Sequence, residues 1–172
     1  MLNGERGFIQ RAARRFHQAA AQGHAGAQCF LGVMLTNGVG IPKNDAEAFQ
    51  WFQKAAGQGC AGAEANLGYL YLNGQGVAQS DAEAFKWIQL AAVQGDARGQ
   101  AQLGALYFRG RCVAQSDAEA FKWIQLAAGQ GHAAAQVILG RMYLVGKSVA
   151  QNYDEAIQWI QLAAGQGHAT GQ

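Results

Sequence analysis

Apolar and small residues recur along this chain at a fixed interval of 36 positions. The recurring residues include Leu31, Leu67, Leu103 and Leu139, the alanines Ala25, Ala61, Ala97 and Ala133, and the tryptophans Trp51, Trp87, Trp123 and Trp159. A repeat of 20–50 residues is typical of a solenoid, in which each unit buries its apolar face only against its neighbours. The pattern predicts four repeats of one solenoid domain, at residues 25–60, 61–96, 97–132 and 133–168.

Each repeat contains two periodic segments that predict two helices. In the second repeat, AGAEANLGYLYLN is followed by Gly74, a placement typical of a left-handed C-cap. The next segment opens with Ser80 and Glu83, a capping box in which the serine accepts from the Glu83 amide and the glutamate reaches back to the serine amide. The box recurs at Asn44 with Glu47, Ser116 with Glu119, and Asn152 with Glu155, and the second helices are expected to end before Gly59, Gly95, Gly131 and Gly167.

A glycine lies inside each predicted first helix, at Gly32, Gly68, Gly104 and Gly140. A glycine inside a helix costs about 1 kcal/mol relative to alanine. We therefore expect these glycines to allow the close approach of a neighbouring helix. The paired alanines late in each second helix, such as Ala91 and Ala92, are the expected matching surface.

The segments LGYLYLNGQGV and DAEAFKWIQLAAVQGD resemble the Sel1-like repeat, a relative of the tetratricopeptide repeat, and the resemblance covers residues 25–168. It implies an all-α fold, a right-handed α/α superhelical solenoid of helix-turn-helix repeats. It also implies a non-enzymatic scaffold or adaptor that binds proteins. The alternative is an immunity-type inhibitor of a bacterial toxin or effector enzyme, and a more distant alternative is an amidase- or lactamase-like hydrolase. Cys112 and Ser148 depart from the pattern, because they replace the loop glycine seen as Gly40 and Gly76.

The two ends of the chain carry partial repeats. Residues 1–24 are interpreted as a degenerate half-repeat or cap, since Leu2-Asn3-Gly4 is similar to a first-helix ending and Ala19–His24 to a second-helix ending. Arg6, Arg11, Arg14 and Arg15 are interpreted as a solvated face of that cap rather than as phosphate contacts. Residues 169–172 match the start of a fifth repeat. The helix over 154–165 is expected to present Trp159, Ile160 and Ala163, so end-to-end association of chains is a second partner prediction.

Candidate chemistry is sparse. Eight of the eleven acidic residues lie at second-helix N-termini, where capping and the helix dipole account for them, and two of the three serines are caps. His24, Cys60, Asp96, His132 and His168 share one repeat position. Repeats offset by about 8–10 Å cannot bring such side chains within ~2.3 Å of one ion, so we interpret them as turn residues. The sequence predicts no catalytic residue, no metal and no cofactor.

Charge and hydropathy restrict the partners and the compartment. The net charge of +2 does not favour nucleic acid, and no apolar stretch approaches the ~20 residues that span a bilayer. The N-terminus lacks the apolar segment of a secretory signal, so the expected location is cytoplasmic, or periplasmic if a signal has been removed. Cys29, Cys60 and Cys112 fit no zinc spacing and are expected to be free thiols.

Four positions of the predicted first helix, the second, sixth, ninth and thirteenth of each repeat, vary most in chemistry and fall on one helical stripe. We call these positions the variable stripe. The resemblance places first helices on the concave side, so the stripe predicts a groove that binds a protein or peptide with an apolar anchor at one end and an acidic portion at the other. The predicted binding residues are Phe30, Val33, Asn37, Asn66, Tyr69, Asn73, Arg98, Gln102, Arg109, Ile138 and Arg141; the other stripe positions are Gly26, Gly62, Ala105, Ala134 and Val145.

A second candidate surface comes from one position of the second helix. It is Lys54 in the first repeat but Leu90, Leu126 and Leu162 in the others. These leucines are expected either to form a lateral contact stripe or to pack against the next repeat's helix.

Overall fold

The computed structural model describes residues 2–169, and within that range the chain forms nine α-helices and no strand. The helices are α1 Leu2–Ala21, α2 Ala25–Asn37, α3 Asp45–Ala56, α4 Ala61–Asn73, α5 Asp81–Val93, α6 Ala97–Arg109, α7 Asp117–Gly129, α8 Ala133–Val145 and α9 Tyr153–Ala169. From α2 onward the helices form four successive pairs, one pair for each predicted repeat. The predicted all-α solenoid of helix pairs is confirmed.

The helices belong to two compact units that divide inside α5, the first ending at Trp87 and the second beginning at Ile88. In the first unit, Leu31, Phe52 and Leu67 are among the fully buried side chains of one apolar core. In the second unit, the core includes Ile124 and Leu139 together with buried alanines. The repeated apolar positions of the sequence therefore supply the interior of both units.

The first helices end as the glycine pattern predicts. Gly38, Gly74, Gly110 and Gly146 all have φ between 63° and 68° in the left-handed region. Cys112 and Ser148, with φ of 66° and 65°, adopt the same left-handed conformation as the loop glycines that they replace. The turn is thus preserved in the third and fourth repeats, although a side chain now occupies a conformation that favours glycine.

The capping box is half confirmed. Ser116 Oγ accepts a hydrogen bond from the Glu119 amide at 3.3 Å, but the Ser116 amide donates to the carbonyl of Tyr107 at 3.0 Å rather than to the glutamate. The Glu119 carboxylate instead accepts from Trp123 Nε1 at 3.1 Å. The reciprocal half of the prediction is wrong because the first helix already supplies an acceptor for the cap amide. The same glutamate–indole bond joins Glu47 to Trp51, Glu83 to Trp87, and Glu155 to Trp159.

The glycines inside the first helices lie against the second helix of the same repeat. A β-carbon built at Gly104 would lie 2.7 Å from the Ile124 side chain and 3.2 Å from the Ala120 carbonyl oxygen. Gly32 against Phe52 and Gly140 against Ile160 show the same proximity, at 2.6 and 2.8 Å. The predicted close approach is confirmed at these three glycines.

The partner predicted for the paired alanines is wrong. Ala91 and Ala92 do not face an internal glycine; they contact the start of the next first helix, where a β-carbon built at Gly99 would lie 2.7 Å from the Ala91 β-carbon. The internal glycines accommodate a large apolar side chain, whereas the alanine pairs bring successive repeats together. Two different small-residue contacts therefore hold each helix pair and its neighbour.

Buried glutamines form a set of interactions that the sequence analysis missed. Gln100 is buried, and its Oε1 accepts from Gln130 Nε2 at 2.7 Å while its own Nε2 donates to the Ala92 carbonyl at 3.4 Å. Equivalent pairs join Gln28 to Gln58 and Gln136 to Gln166, at 2.8 and 3.0 Å. Each pair connects the start of a first helix with the C-terminal end of the second helix of the same repeat; Gln58 and Gln130 lie in the turn after that helix, whereas Gln166 lies inside α9.

The N-terminal segment departs from the half-repeat prediction. Leu2-Asn3-Gly4 does not end a helix, because α1 runs without a break from Leu2 to Ala21. No Ser/Asn-x-x-Glu start signal follows Gly4 to open a separate second helix. Arg11, Arg14 and Arg15 are exposed, as expected for a solvated face.

The last helix also differs from the other second helices. Gly59, Gly95 and Gly131 have positive φ in the predicted turns, but α9 continues to Ala169, so Gly167 is helical. Ile160 is exposed as predicted, whereas Ala163 is buried and Trp159 is half-buried and packs against the core of the second unit. Residues 170–172 of the predicted fifth repeat lie outside the described residues.

Candidate interaction site

None of the sixteen positions of the variable stripe is buried. Within the first unit, Phe30, Asn37, Tyr69 and Asn73 are exposed, and Val33 and Asn66 are half-buried. Within the second unit, Arg98, Arg109 and Arg141 are exposed, and Gln102 and Ile138 are half-buried. The outward direction inferred from the variability of these positions agrees with their exposure.

The stripe of the first unit is less polar than its sequence suggests. The side-chain amides of the three asparagines donate to carbonyls four residues earlier in their own helices: Asn37 to Val33 at 2.9 Å, Asn66 to Gly62 at 2.7 Å and Asn73 to Tyr69 at 2.8 Å. Phe30 remains 56% exposed although its ring stacks on Phe16 of α1, with centroids 4.8 Å apart. This part of the surface therefore presents the rings of Phe30 and Tyr69 more than amide donors.

The second unit contains a cavity of about 240 Å³ bounded by α6, α7 and α8. Gly104, Ile124 and Met142 are its most buried lining residues. Five positions of the variable stripe also line it: Ala105, Arg109, Ile138, Arg141 and Val145. The variable positions of the first helix and the concave surface therefore coincide at this cavity.

The rim of this cavity is cationic. Arg109 closes the C-terminal end of α6, and Arg141 lies on the exposed side of α8. Neither guanidinium forms an ion pair or hydrogen bond with the part of the chain that the structure describes. Lys147, by contrast, lies 3.2 Å from an Asp117 carboxylate oxygen. Two arginines therefore remain available to an anionic group at the cavity mouth.

The structure brings together only part of the predicted second-unit site. Arg109, Ile138 and Arg141 share the cavity, whereas Arg98 and Gln102 do not line it. Gln102 Oε1 is buried and has no hydrogen-bond partner among the described residues, which makes this position costly to the fold.

Sequence reasoning missed Phe108, Met142 and Lys147, which also line the cavity. Lys147 Nζ lies 4.2 Å from the centroid of the Phe108 ring. The signal for Lys147 was available, since the same loop position carries Val39 in the first repeat and Gln75 in the second. Met142 gives no such signal because every repeat carries methionine or leucine at its position, and Phe108 gives little because two of the other three repeats carry leucine there.

His24, Cys60, Asp96 and His132 occupy the N-cap positions of the first helices, but only Asp96 and His132 cap the helix with their side chains. Asp96 accepts from the Gly99 amide at 2.7 Å, and His132 Nδ1 accepts from the Ala135 amide at 3.3 Å. Desolvation lowers the pKa of His132 below its ordinary value, and Arg98 adds to this effect while Asp96 opposes it. The side chain of His168 lies outside the described residues.

Three further sequence expectations can be compared with the described part of the chain. There, no three His, Cys, Asp or Glu side chains are grouped as a metal site would require. Every helix in the described part of the chain is too short or too polar to cross a bilayer. No disulfide bond joins Cys29, Cys60 or Cys112.

The leucines of the lateral stripe are all at the surface. Leu90, Leu126 and Leu162 are 43%, 46% and 54% exposed, and all three belong to the second unit. Of the two expectations for these residues, exposure favours the contact stripe over burial against the next helix.

The Sel1 repeat profile matches residues 25–60, 61–96, 97–132 and 133–168. This chain belongs to the Sel1 repeat family, an all-α solenoid fold that mediates protein–protein interaction. The matched segments coincide with the four repeats that the 36-residue interval predicts. A comparison with curated proteins found no match.

Solved structures extend the comparison. A Sel1 repeat protein from Oxalobacter formigenes is 35% identical with a TM-score of 0.80, over 94% of this chain and 64% of that one. The protective antigen c5321 of uropathogenic Escherichia coli is 39% identical with a TM-score of 0.77, over 90% of this chain and 33% of that one. Immunity protein PA5088 from Pseudomonas aeruginosa is 25% identical with a TM-score of 0.67, over 91% of this chain and 57% of that one. The chain therefore spans less than two thirds of each of these relatives.

Proposed function

We propose that this chain is a non-enzymatic interaction module that binds a segment of another protein on its variable stripe. The observation that carries the proposal is that stripe residues line the cavity between α6, α7 and α8. Positions that pack against the repeat are constrained to recur, whereas positions that contact a partner are free to differ. A concave, mostly apolar surface with a few convergent polar groups is also the usual form of a binding site.

The chemistry of the stripe favours a segment with both apolar and acidic residues. Tyr69 is 47% exposed in the first unit and offers an aromatic contact. Arg109 and Arg141 in the second unit can each hold a carboxylate through two parallel hydrogen bonds. A partner that is apolar alone would leave the arginines desolvated without compensation.

Affinity capture with the purified protein, followed by mass spectrometry and reconstitution with the captured partner, tests this function. Tyr69→Ala and Arg109→Glu should each weaken the reconstituted complex at least about tenfold while leaving the melting temperature unchanged. Leu126→Ala is the matched control on the lateral stripe and should leave affinity within about twofold. The reverse result, with only Leu126→Ala weakening the complex, would place binding on the lateral stripe and reject the variable stripe.

A second candidate function is that of an immunity-type inhibitor. Its support is the likeness to immunity protein PA5088, which shares the fold with this chain. An inhibitor would use the same surface but would have a toxic enzyme as its partner. Co-expression with each product of the neighbouring genes distinguishes the two functions. If the chain rescues growth from one toxic product and Arg109→Glu abolishes that rescue, the chain is an inhibitor. Absence of any rescue supports the adaptor.

A further inference from the structure

The cavity between α6, α7 and α8 has one wall residue that is smaller than its counterparts in the other repeats. The ninth position of the repeat is Val33, Tyr69, Ala105 and Arg141 in the four copies, so the third copy carries the smallest side chain. Ala105 lines the cavity beside Gly104, where the helix has no side chain at all. The α6 wall of the cavity therefore carries only a methyl group at the position where the preceding repeat carries a tyrosine.

The size of the opening restricts its occupant. A cavity of about 150 Å³ is large enough to bind benzene, and pockets for whole small-molecule ligands span about 300–1,000 Å³. The present cavity, at about 240 Å³, lies between these sizes. It matches one large side chain, such as a phenyl ring, inserted from a longer molecule that continues outside.

The charges at the cavity rim indicate which charge the longer molecule should carry. Lys147 is engaged by Asp117 at 3.2 Å, so its charge is largely compensated. Arg109 and Arg141 have no such partner in the described chain, and both lie on the exposed side of the helices that form the walls. Carboxylates that flank the inserted side chain would complement both arginines.

We infer that this cavity binds one large apolar side chain, aromatic by preference, of an acidic peptide segment, with carboxylates on either side of it held by Arg109 and Arg141. The inference rests on the proposed function, because it specifies the chemistry of the partner segment at one point of the variable stripe. Ala105 is the specificity-determining residue, since its size decides whether the anchor can enter.

A fluorescein-labelled peptide of sequence Gly-Glu-Glu-Phe-Glu-Glu-Gly, followed by fluorescence anisotropy, tests the inference directly. Two control peptides replace the phenylalanine by glycine or all four glutamates by lysine. The Phe/Glu peptide should bind at least about tenfold more tightly than either control, because burial of an aromatic ring and charge pairing each contribute that much. Equal binding of the Phe/Glu peptide and either control would overturn the inference.

The matched protein variants follow from the repeats themselves. Ala105→Tyr places the second repeat's residue in the third repeat and should lower affinity at least about tenfold by filling the cavity. Ala105→Val introduces the first repeat's residue and should lower the affinity by a smaller factor. This variant is used if the tyrosine variant fails to fold. Arg109→Glu should weaken binding similarly, while Arg15→Glu on α1 changes the same charge elsewhere and should leave affinity within about twofold. Affinity within twofold for both Ala105 variants would exclude the cavity as the anchor site.

Competition with free 3-phenylpropionate distinguishes a peptide site from a small-molecule site. Displacement of the labelled peptide by an equal concentration of the acid would show that the cavity binds free aromatic acids, and the inference would be wrong. With the captured natural partner, loss of binding in Tyr69→Ala but not in Ala105→Tyr would leave the proposed function in place and reject only the cavity anchor.

Discussion

Gln130 Nε2 donates a hydrogen bond to Gln100 Oε1 across 2.7 Å, and the same amide also donates to the Gly95 carbonyl at 2.9 Å. The pair joins two helices of one repeat and the turn that precedes them. Replacing Gln100 by leucine removes the buried acceptor and the donor to the Ala92 carbonyl. We expect a loss of about 1–3 kcal/mol in the free energy of unfolding, measured by urea denaturation. Gln125→Leu, an exposed glutamine on α7, is the control and should change stability by less than about 0.5 kcal/mol.

Gly104→Leu should lower the melting temperature. The added side chain meets Ile124 and the Ala120 carbonyl, and overpacking of this kind costs about 1–3 kcal/mol, which exceeds the gain in helix propensity of about 1 kcal/mol. Gly129→Ala on α7 is the matched control, since a β-carbon there meets nothing within 4 Å. A higher melting temperature for Gly104→Leu than for the wild type would show that the close approach is not structurally important.

Ser148→Gly should stabilise the protein. Ser148 has a φ of 65°, a conformation that costs an L-residue about 1–2 kcal/mol and glycine almost nothing. The greater freedom of glycine in the unfolded chain offsets part of this gain, so we expect a net increase of up to about 1 kcal/mol in differential scanning calorimetry. Ser148→Ala keeps the β-carbon and should show no gain, so equal stabilisation by both substitutions would contradict the explanation.

Acid should destabilise the third and fourth repeats through His132. Because the folded state lowers the pKa of this imidazole, the unfolded chain binds the proton more readily. The contribution of His132 to stability is therefore complete above about pH 6.5 and decreases as the pH falls through the folded-state pKa. His132→Asn retains an N-cap without a titratable group, so the loss of stability between pH 7 and pH 5 should be smaller in this variant. Identical pH profiles for the two proteins would contradict the assignment.

The exposed apolar side chains of α9 predict self-association of this chain. Tyr153, Ile157 and Ile160 lie on one face of the helix and are 59%, 52% and 40% exposed. Contiguous apolar surface of this kind favours contact between molecules. Static light scattering should show an apparent mass that rises with concentration, and Ile160→Lys should reduce that rise. Gln158→Lys on the same helix is the control for added charge, and an equal effect of both substitutions would indicate general repulsion rather than a specific contact.

The repeat boundaries and helix ends could be predicted because their causes are local. Gly110 ends α6 in a left-handed conformation, and Ser116 caps α7, with no contribution from distant residues. The reciprocal bond predicted for Glu119 failed because its competitor, the Tyr107 carbonyl, reaches the cap amide only through the packing of two helices. Similarly, the paired alanines could be recognised as a small surface, but their partner Gly99 belongs to the next repeat.

The candidate site could be predicted from the sequence only in part. Variation along the first helix identified Arg109, Ile138 and Arg141, because a position that faces outward is released from the repeat. The cavity itself was not predictable, since its volume depends on how the small side chain of Ala105 lies relative to the walls supplied by Ile124 and Met142. The volume of a cavity depends on how several helices pack together, so the sequence of any one helix does not predict it.

The bond between each glutamate and the tryptophan four residues later has a consequence for spectroscopy. All four indoles are half-buried, and each donates to a carboxylate at 3.1–3.3 Å, so one kind of hydrogen-bonded tryptophan is present in every repeat. Intrinsic fluorescence of the wild type therefore averages over the whole solenoid and cannot distinguish unfolding that begins in one repeat from unfolding of all four together. Variants that retain a single tryptophan, Trp51 or Trp123, would place one reporter in each compact unit and show whether the two lose their structure at the same denaturant concentration.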